Sequence, residues 1–296
     1  MKDLKVVSFG EILWDVFPDR KALGGAPLNI AARLASLGAE TRIISKLGDD
    51  PLANETLKLV SELNLDLELI QTDETLETGQ VTVTLDETGS ASYVINQPVA
   101  WDAIELTDQN KAAVKEADIF LFGSLVARNE TSRATLNALL STSDFAVFDV
   151  NLRAPHYTLE QVYNFMKQAQ FVKMNDEELD EIIAHLQIKE QNMEDQLKAL
   201  NELINCEAIC VTCGAEGAVL FKDDTLFSHS GFSTKVVDTV GAGDSFLAGL
   251  IYQLYQEENS PDEALEFACA LGALVAGTKG ANAKVTFKDI AHKINE

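Results

Sequence analysis

Positive charge is scarce in this chain. Against 47 Asp and Glu there are only 23 Lys and Arg in 296 residues, for a net charge of −24. So acidic a surface repels nucleic acid and anionic membranes, and neither is expected as a partner. An anionic ligand would have to be held by local donors. Cysteine is also sparse, at four: Cys206, Cys210, Cys213 and Cys269. Cys210 and Cys213 form C-x-x-C, but no second Cys pair or His pair completes a zinc set. They lie in the apolar run AICVTCG, which reads as a buried strand with the thiols as small hydrophobes. No stretch approaches the roughly 20 apolar residues of a membrane span. The N-terminal apolar run, with Asp3 before it and Glu11 and Asp15 behind it, does not read as a secretory signal. The expectation is a reduced, cytoplasmic protein. The phosphate-binding loop G-x-x-x-x-G-K-[ST] is missing as well.

What the chain has is a full apolar complement, 46% of residues, and an alternation of strand and helix patterns. Strands are expected in LKVVSFG, which reads as buried, and in TRIISKLG, ADIFLFGS, FAVFDVN, FVKMN, EAICVTCG, GAVLFK and TLFSHS. Helices are expected from the Gly24–Gly25 pair and Pro27 to a closing Gly38, and over 49–64 with Asp49 or Asp50 as cap. Further helices are expected over 130–141, 159–168, 176–186, 194–204, 243–255, 261–277 and 287–294. This rhythm implies a mostly parallel sheet covered on both faces, as one α/β domain over 1–296. Residues 79–102 break it. They alternate apolar and polar, with a hairpin-like DETG, and predict a small antiparallel unit. In parallel sheets ligands lie at the carboxyl ends of strands. That directs attention to 10–25, 151–153, 175–178, 213–217 and 238–244.

The stretch DTVGAGDSF carries the most specific chemistry. Gly241 and Gly243 allow close backbone approach to a ligand. The amides of Ala242, Gly243 and Asp244 at a helix start can hold an oxyanion without a lysine. Asp244 can then accept the proton of an attacking hydroxyl late in phosphoryl transfer. On this stretch alone, a glycine-rich helix start with Asp244 serving the helix dipole is the competing explanation.

DTVGAGDSFLAGL, GGAPLNIAARLASLG, KMNDEEL and VTCGAEGAVLF occur in one order across nearly the whole chain, and D-T-x-G-A-G-D is matched at every position. In these motifs the sequence resembles the ribokinase (phosphofructokinase B-type, PfkB) sugar kinases, and in GEILWDVFP and GGAPLNIA the fructokinase branch. The resemblance implies a ribokinase-like three-layer αβα sandwich with a β-sheet lid at about 11–18 and 79–102. It implies Asp244 as catalytic base, Gly241, Ala242 and Gly243 as the anion hole, and Arg153 near the transferring phosphate or the sugar. Asp15, Gly24, Gly25, Asn29 and Asn151 would contact the sugar. Asn175, Thr212, Gly214, Gly217, Cys269 and Ala273 would line the nucleotide. Glu178 would act on Mg2+ through water, and carbonyls around Asp238, Val240 and 276–281 would hold K+. Each of these residues also has a local explanation: a cap, a turn, a surface ion pair or a solvated loop charge.

ATP, Mg2+ and a small sugar are thus the implied ligands, with a homodimer through the lid. VINQPVAWD departs from the Phe/Arg-containing lid segment of many fructokinases. The absence of Lys and Arg from 79–102 argues for a neutral sugar. D-fructose phosphorylated at its 6-position is the leading expectation. Ribose, 2-keto-3-deoxygluconate or a nucleoside as acceptor, or a catalytically silent sugar-binding protein, are the alternatives.

Overall fold

A computed structural model describes residues 3–17, 20–85 and 91–296. Among them, strands pair into two sheets. Across the larger run β13 (Thr225–His229), β12 (Ala218–Lys222), β11 (Ala208–Thr212), β10 (Phe171–Asn175), β9 (Ala146–Asp149), β8 (Ile119–Gly123), β1 (Lys5–Phe9), β4 (Glu40–Gly48) and β5 (Ile70–Asp73). Neighbours from β11 to β5 are parallel, while β12 and β13 form an antiparallel margin. From β1 the chain builds outward to β4 and β5, then returns to place β8 on the other side of β1. A crevice opens at the carboxyl ends of the strands where such a reversal occurs.

The central strands are apolar on both faces because helices cover both. Phe120, Phe122 and Phe148 join a core under α3 (Asp108–Glu116), α4 (Glu130–Leu140), α5 (Leu159–Met166), α6 (Asp176–Leu186) and α7 (Met193–Ile204). The Phe122 and Phe148 rings stack there at 4.8 Å. Ile119, Leu121 and Val147 point the other way, under α1 (Ala26–Leu37), α8 (Ala242–Tyr255), α9 (Pro261–Ala276) and α10 (Phe287–Ile294). The result is the expected αβα sandwich. α2 (Pro51–Glu62) packs with α1 and β4 in a smaller cluster, capped by Asp50 through the Ala53 amide.

The second sheet has the order β3 (Lys21–Gly24), β2 (Leu13–Val16), β6 (Gly79–Leu85), β7 (Ala91–Ile95). The antiparallel unit expected from sequence is therefore a mixed sheet, since β2 runs parallel to β6 with Asp15 opposite Val81. The pairing follows from chain entry: β2 leaves the end of β1 and meets β6 from a distant segment, a long-range contact with no local signature. The DETG hairpin lies outside the described residues. The lid is rooted at two places. Trp14 Nε1 donates to Thr56 Oγ1 of α2 at 2.9 Å. Arg128, after β8, forms a bidentate pair with Asp102 at 2.7 and 2.8 Å and donates to the Asn96 carbonyl at 2.7 Å.

α1 begins hard against the backbone that follows β1. Gly25 has φ +111°, and a Cβ there would lie 2.3 Å from the Glu11 carbonyl oxygen, so only glycine lets the helix start at that distance. No helix among the described residues is long and apolar enough to cross a membrane.

Candidate active site

Gly241 caps α8 in a left-handed conformation, φ +76°. A Cβ on it would stand 2.3 Å from the Cβ of Ala281. The Ala242 amide donates to the Thr239 carbonyl at 3.2 Å, and helical bonding resumes with Ser245 N–H to the Gly241 carbonyl at 2.9 Å. Of the three amides expected to hold an oxyanion, Ala242 is thus engaged in a turn. Those of Gly243 and Asp244, in the first helical turn, have no backbone acceptor among the described residues. A Gly241→Ala change combines left-handed strain with this overlap. Expected is a loss of about 1–3 kcal/mol in urea unfolding and at least a tenfold fall in turnover.

Asp244 lies half-buried in the same turn, and its Oδ2 accepts from Asn29 Nδ2 at 2.8 Å. Asn29, on the first turn of α1, is itself buried. Burial, helped by the neighbouring Asp149 carboxylate, pushes Asp244 up to about 6, against the Asn29 hydrogen bond and the charges of Lys173 and Arg153. Asp15, half-buried on β2, is also raised by burial, with Arg153 pulling the other way. Its Oδ2 lies 3.1 Å from where a Gly24 Cβ would be, so the missing side chain leaves room for the carboxylate. Arg153 is exposed at the carboxyl end of β9, and its Nη1 donates to the Leu152 carbonyl at 2.8 Å. Asn151 takes φ +38° at the same turn, its carbonyl accepting from Ser124 Oγ at 3.2 Å.

Three buried groups here were not singled out in the sequence. Lys173 and Asp149, on adjacent strands β10 and β9, pair at 3.0 Å with both side chains almost fully enclosed. The Lys173 ammonium comes within 3.6 Å of the point where a Gly243 Cβ would sit. The turn expected to hold an oxyanion therefore does have a lysine near it. Burial works against the Lys173 charge, but Asp149, Glu178 and Asp244 more than offset it and hold the ammonium above its usual value. The only sequence signal was a lysine inside the otherwise apolar FVKMN. Glu11 is the third group. It is buried two residues beyond β1, with Oε2 unpartnered among the described residues. Burial above all, and then Asp244, pushes it up to about 7 while Arg153 and Arg128 oppose.

Residues 3–287 match the family model described as pfkB family carbohydrate kinase. The chain belongs to this family. Fructokinase-2 of Oryza sativa subsp. japonica is 30% identical over 304 residues, spanning 93% of this chain and 89% of that protein. The crystal structure of an uncharacterized sugar kinase from Pyrococcus horikoshii, in complex with ATP, superposes with a TM-score of 0.84 at 26% identity, over 98% of this chain and 99% of that one. The fructokinase of Vibrio cholerae O395, solved with fructose, ADP and calcium ion, has the same fold, with a TM-score of 0.83 at 24% identity and 98% and 99% coverage. The protein is accordingly a sugar kinase, a phosphotransferase of the pfkB type.

On this pfkB frame Asn175, Thr212, Gly214 and Gly217 fall at the carboxyl ends of β10 and β11, while Cys269 and Ala273 lie on α9 and Asp238 in a loop. Asn175 and Glu178 form a reciprocal capping box on α6. Glu178 Oε2 accepts from the Asn175 amide at 2.9 Å and Oε1 from the Leu152 amide at 2.7 Å, so one carboxylate ties α6 to the Arg153 turn. Burial and Asp149 raise Glu178, the two amides opposing. Thr212 ends β11, its hydroxyl 3.5 Å from the Met174 carbonyl. Gly214 is open, whereas a Cβ on Gly217 would overlap the backbone at His229, so Gly217 serves the turn. Cys269 is buried, its thiol pushed up to about 12 by burial, whereas Ala273, one turn on, is half-buried. Asp238 joins two loops, accepting from the Val240 amide at 3.0 Å and the Gly280 amide at 3.1 Å. Cys210 is enclosed and Cys213 half-buried, and no cluster of three metal-ligating side chains occurs among the described residues.

Proposed function

We propose that this kinase transfers the γ-phosphoryl group of MgATP to a primary hydroxyl of a small neutral sugar, D-fructose at its 6-position before others. The observation that carries the reading is the junction of α1 and α8. Asn29 holds the Asp244 carboxylate within one helical turn of the two free amides of Gly243 and Asp244. A carboxylate partly withdrawn from water is a stronger base than one in solvent, and this one shares a helical turn with the amides. Asp244 takes the hydroxyl proton as the oxygen bonds to phosphorus. The two amides, with the Lys173 charge behind them, stabilise the equatorial oxygens. Asp15, Asn29 and the backbone at Gly24–Gly25 orient the sugar.

Asp149 and Glu178 would hold Mg2+ through water, and the ion would supply positive charge against the phosphate oxygens. The donors fit such an ion through water. Both Glu178 oxygens are committed to amides, while Asp149 Oδ2 is buried, unpartnered and close enough to raise Glu178 and Asp244. The clamp of Asp238 on Val240 and Gly280 supports a K+ site of backbone carbonyls. The outer edges of β3 and β7, unpaired among the described residues, with Val94 exposed, support a lid-to-lid homodimer.

A neutral acceptor is favoured by charge. Glu11, Asp15 and Asp244 act on the cleft, and against them stands the exposed Arg153. Arg128, the other nearby guanidinium, gives Nε and Nη2 to Asp102, leaving Nη1 unpartnered among the described residues. A sugar acid would thus meet more carboxylates than open guanidinium donors. ADP release by the full chain with MgATP, coupled to NADH oxidation, tests the reading over fructose, glucose, ribose, 2-keto-3-deoxygluconate and adenosine. Expected is a kcat/KM for fructose at least tenfold above the others. A higher value for 2-keto-3-deoxygluconate or adenosine would replace the neutral-sugar assignment.

A further inference from the structure

The geometry points to Arg33 as a positioning residue for phosphoryl transfer, one that sets the anion-hole turn against the sugar-binding helix. Arg33 lies on α1 one turn beyond Asn29 and is only 4% exposed. Every acceptor it meets among the described residues is neutral. Nε donates to Ser245 Oγ at 3.1 Å, and Nη2 to the carbonyls of Ala283 at 2.9 Å and Ala281 at 3.4 Å. A buried guanidinium without a carboxylate is costly, and burial lowers its pKa. A purely structural brace between helix and loop could be made from apolar residues at less cost.

Its three contacts fall on the parts that must keep register. Ser245 follows the base Asp244. Ala281 carries the Cβ that packs on Gly241, the residue whose left-handed turn aims the Gly243 and Asp244 amides. The same loop is held from its other end by Asp238 through the Gly280 amide. Near Arg33, Asn282 Nδ2 reaches Asn29 Oδ1 at 3.5 Å. Sugar helix, base helix and C-terminal loop thus meet on one planar group. Its fork of donors reaches two elements at once, which a lysine ammonium on a single stem does not reproduce.

The inference rests on the kinase reading but not on which sugar is used, so its test takes the best acceptor from the panel above. Arg33→Lys keeps charge and burial while losing the fork, and Ser245→Ala removes one acceptor. Expected for Arg33→Lys is a 10- to 100-fold fall in kcat, with KM for sugar and Kd for ATP shifted less than threefold and circular dichroism unchanged. Ser245→Ala should lower kcat about threefold. The double variant should fall no further than Arg33→Lys alone, because both act through one contact. Arg33→Lys turnover within twofold of the parent overturns the proposal. So does a loss that follows the folded fraction, or multiplicative losses in the double variant. Absence of ADP release with every sugar on the parent chain would instead strike the kinase reading itself.

Discussion

Asp244→Asn lowers sugar-dependent ADP formation by about 10²–10⁴-fold, the range spanned by a positioned general base. The change keeps the size of the side chain and leaves the free amides of the turn in place, so ATP should bind within a fewfold of the parent by isothermal titration. The same variant should be more stable. In the folded chain Asp244 binds its proton up to about 6 rather than near 3.8. Protonation therefore favours the native state. Stability contributed by this group is full below about 4, falls as pH rises to about 6, and above that the buried charge costs its whole amount. About two pK units correspond to at most about 3 kcal/mol. Urea unfolding at pH 7.5 should show Asn above Asp, and the gap should close at pH 4. A base at Asp244 that destabilises its own fold would be the usual exchange of stability for activity.

Lys173→Met should be the most damaging single change in the strand core. It leaves Asp149 buried, with Oδ2 already unpartnered and its only ion-pair partner among the described residues gone. Removing one member of an enclosed pair costs about 3–5 kcal/mol, a large share of the roughly 5–15 kcal/mol that holds a domain together. Lys173→Met/Asp149→Asn should recover most of that loss, because no charge is then stranded. Turnover of the double variant should nevertheless stay at least tenfold low while the fold is restored, because it lacks both the Lys173 charge beside Gly243 and the Asp149 carboxylate.

Local pattern carried much of this architecture. FVKMN and DEELDEIIAHL read as strand and helix and are β10 and α6 over the same residues. Asp50, Gly38 and Thr286 mark helix ends by cap chemistry that needs no tertiary information. α3 was not legible, because only Asn110, Ala113 and Val114 of it are buried and no apolar stripe repeats. β5 is a short margin strand with no buried residue and left as little trace. The parallel β2–β6 contact, the Trp14 and Arg128 anchors of the lid, and the return of Arg33 to the C-terminal loop join residues far apart in the chain. At the site, the glycine pair, Asn29 and the GAGD turn stood out because glycine and a short amide or carboxylate are needed there. Lys173, Asp149 and Arg33 lie buried inside strands and a helix, and Glu11 in the loop after β1, where apolar neighbours disguise them.

The most direct test of the central claim, that Asp244 is a base poised by burial, is the pH dependence of kcat/KM for the preferred sugar from pH 4.5 to 8.5. Glu11, pushed up to about 7 beside it, makes a second buried carboxyl in the same field, so the comparison runs across parent, Asp244→Asn and Glu11→Gln. The parent should rise with pH through an ionisation near 6 to a plateau. Glu11→Gln should keep that limb, moved slightly lower because Glu11 no longer competes for charge, and Asp244→Asn should lose it along with most of the rate. A limb near 6 that persists at near-parental rate in Asp244→Asn would contradict the account.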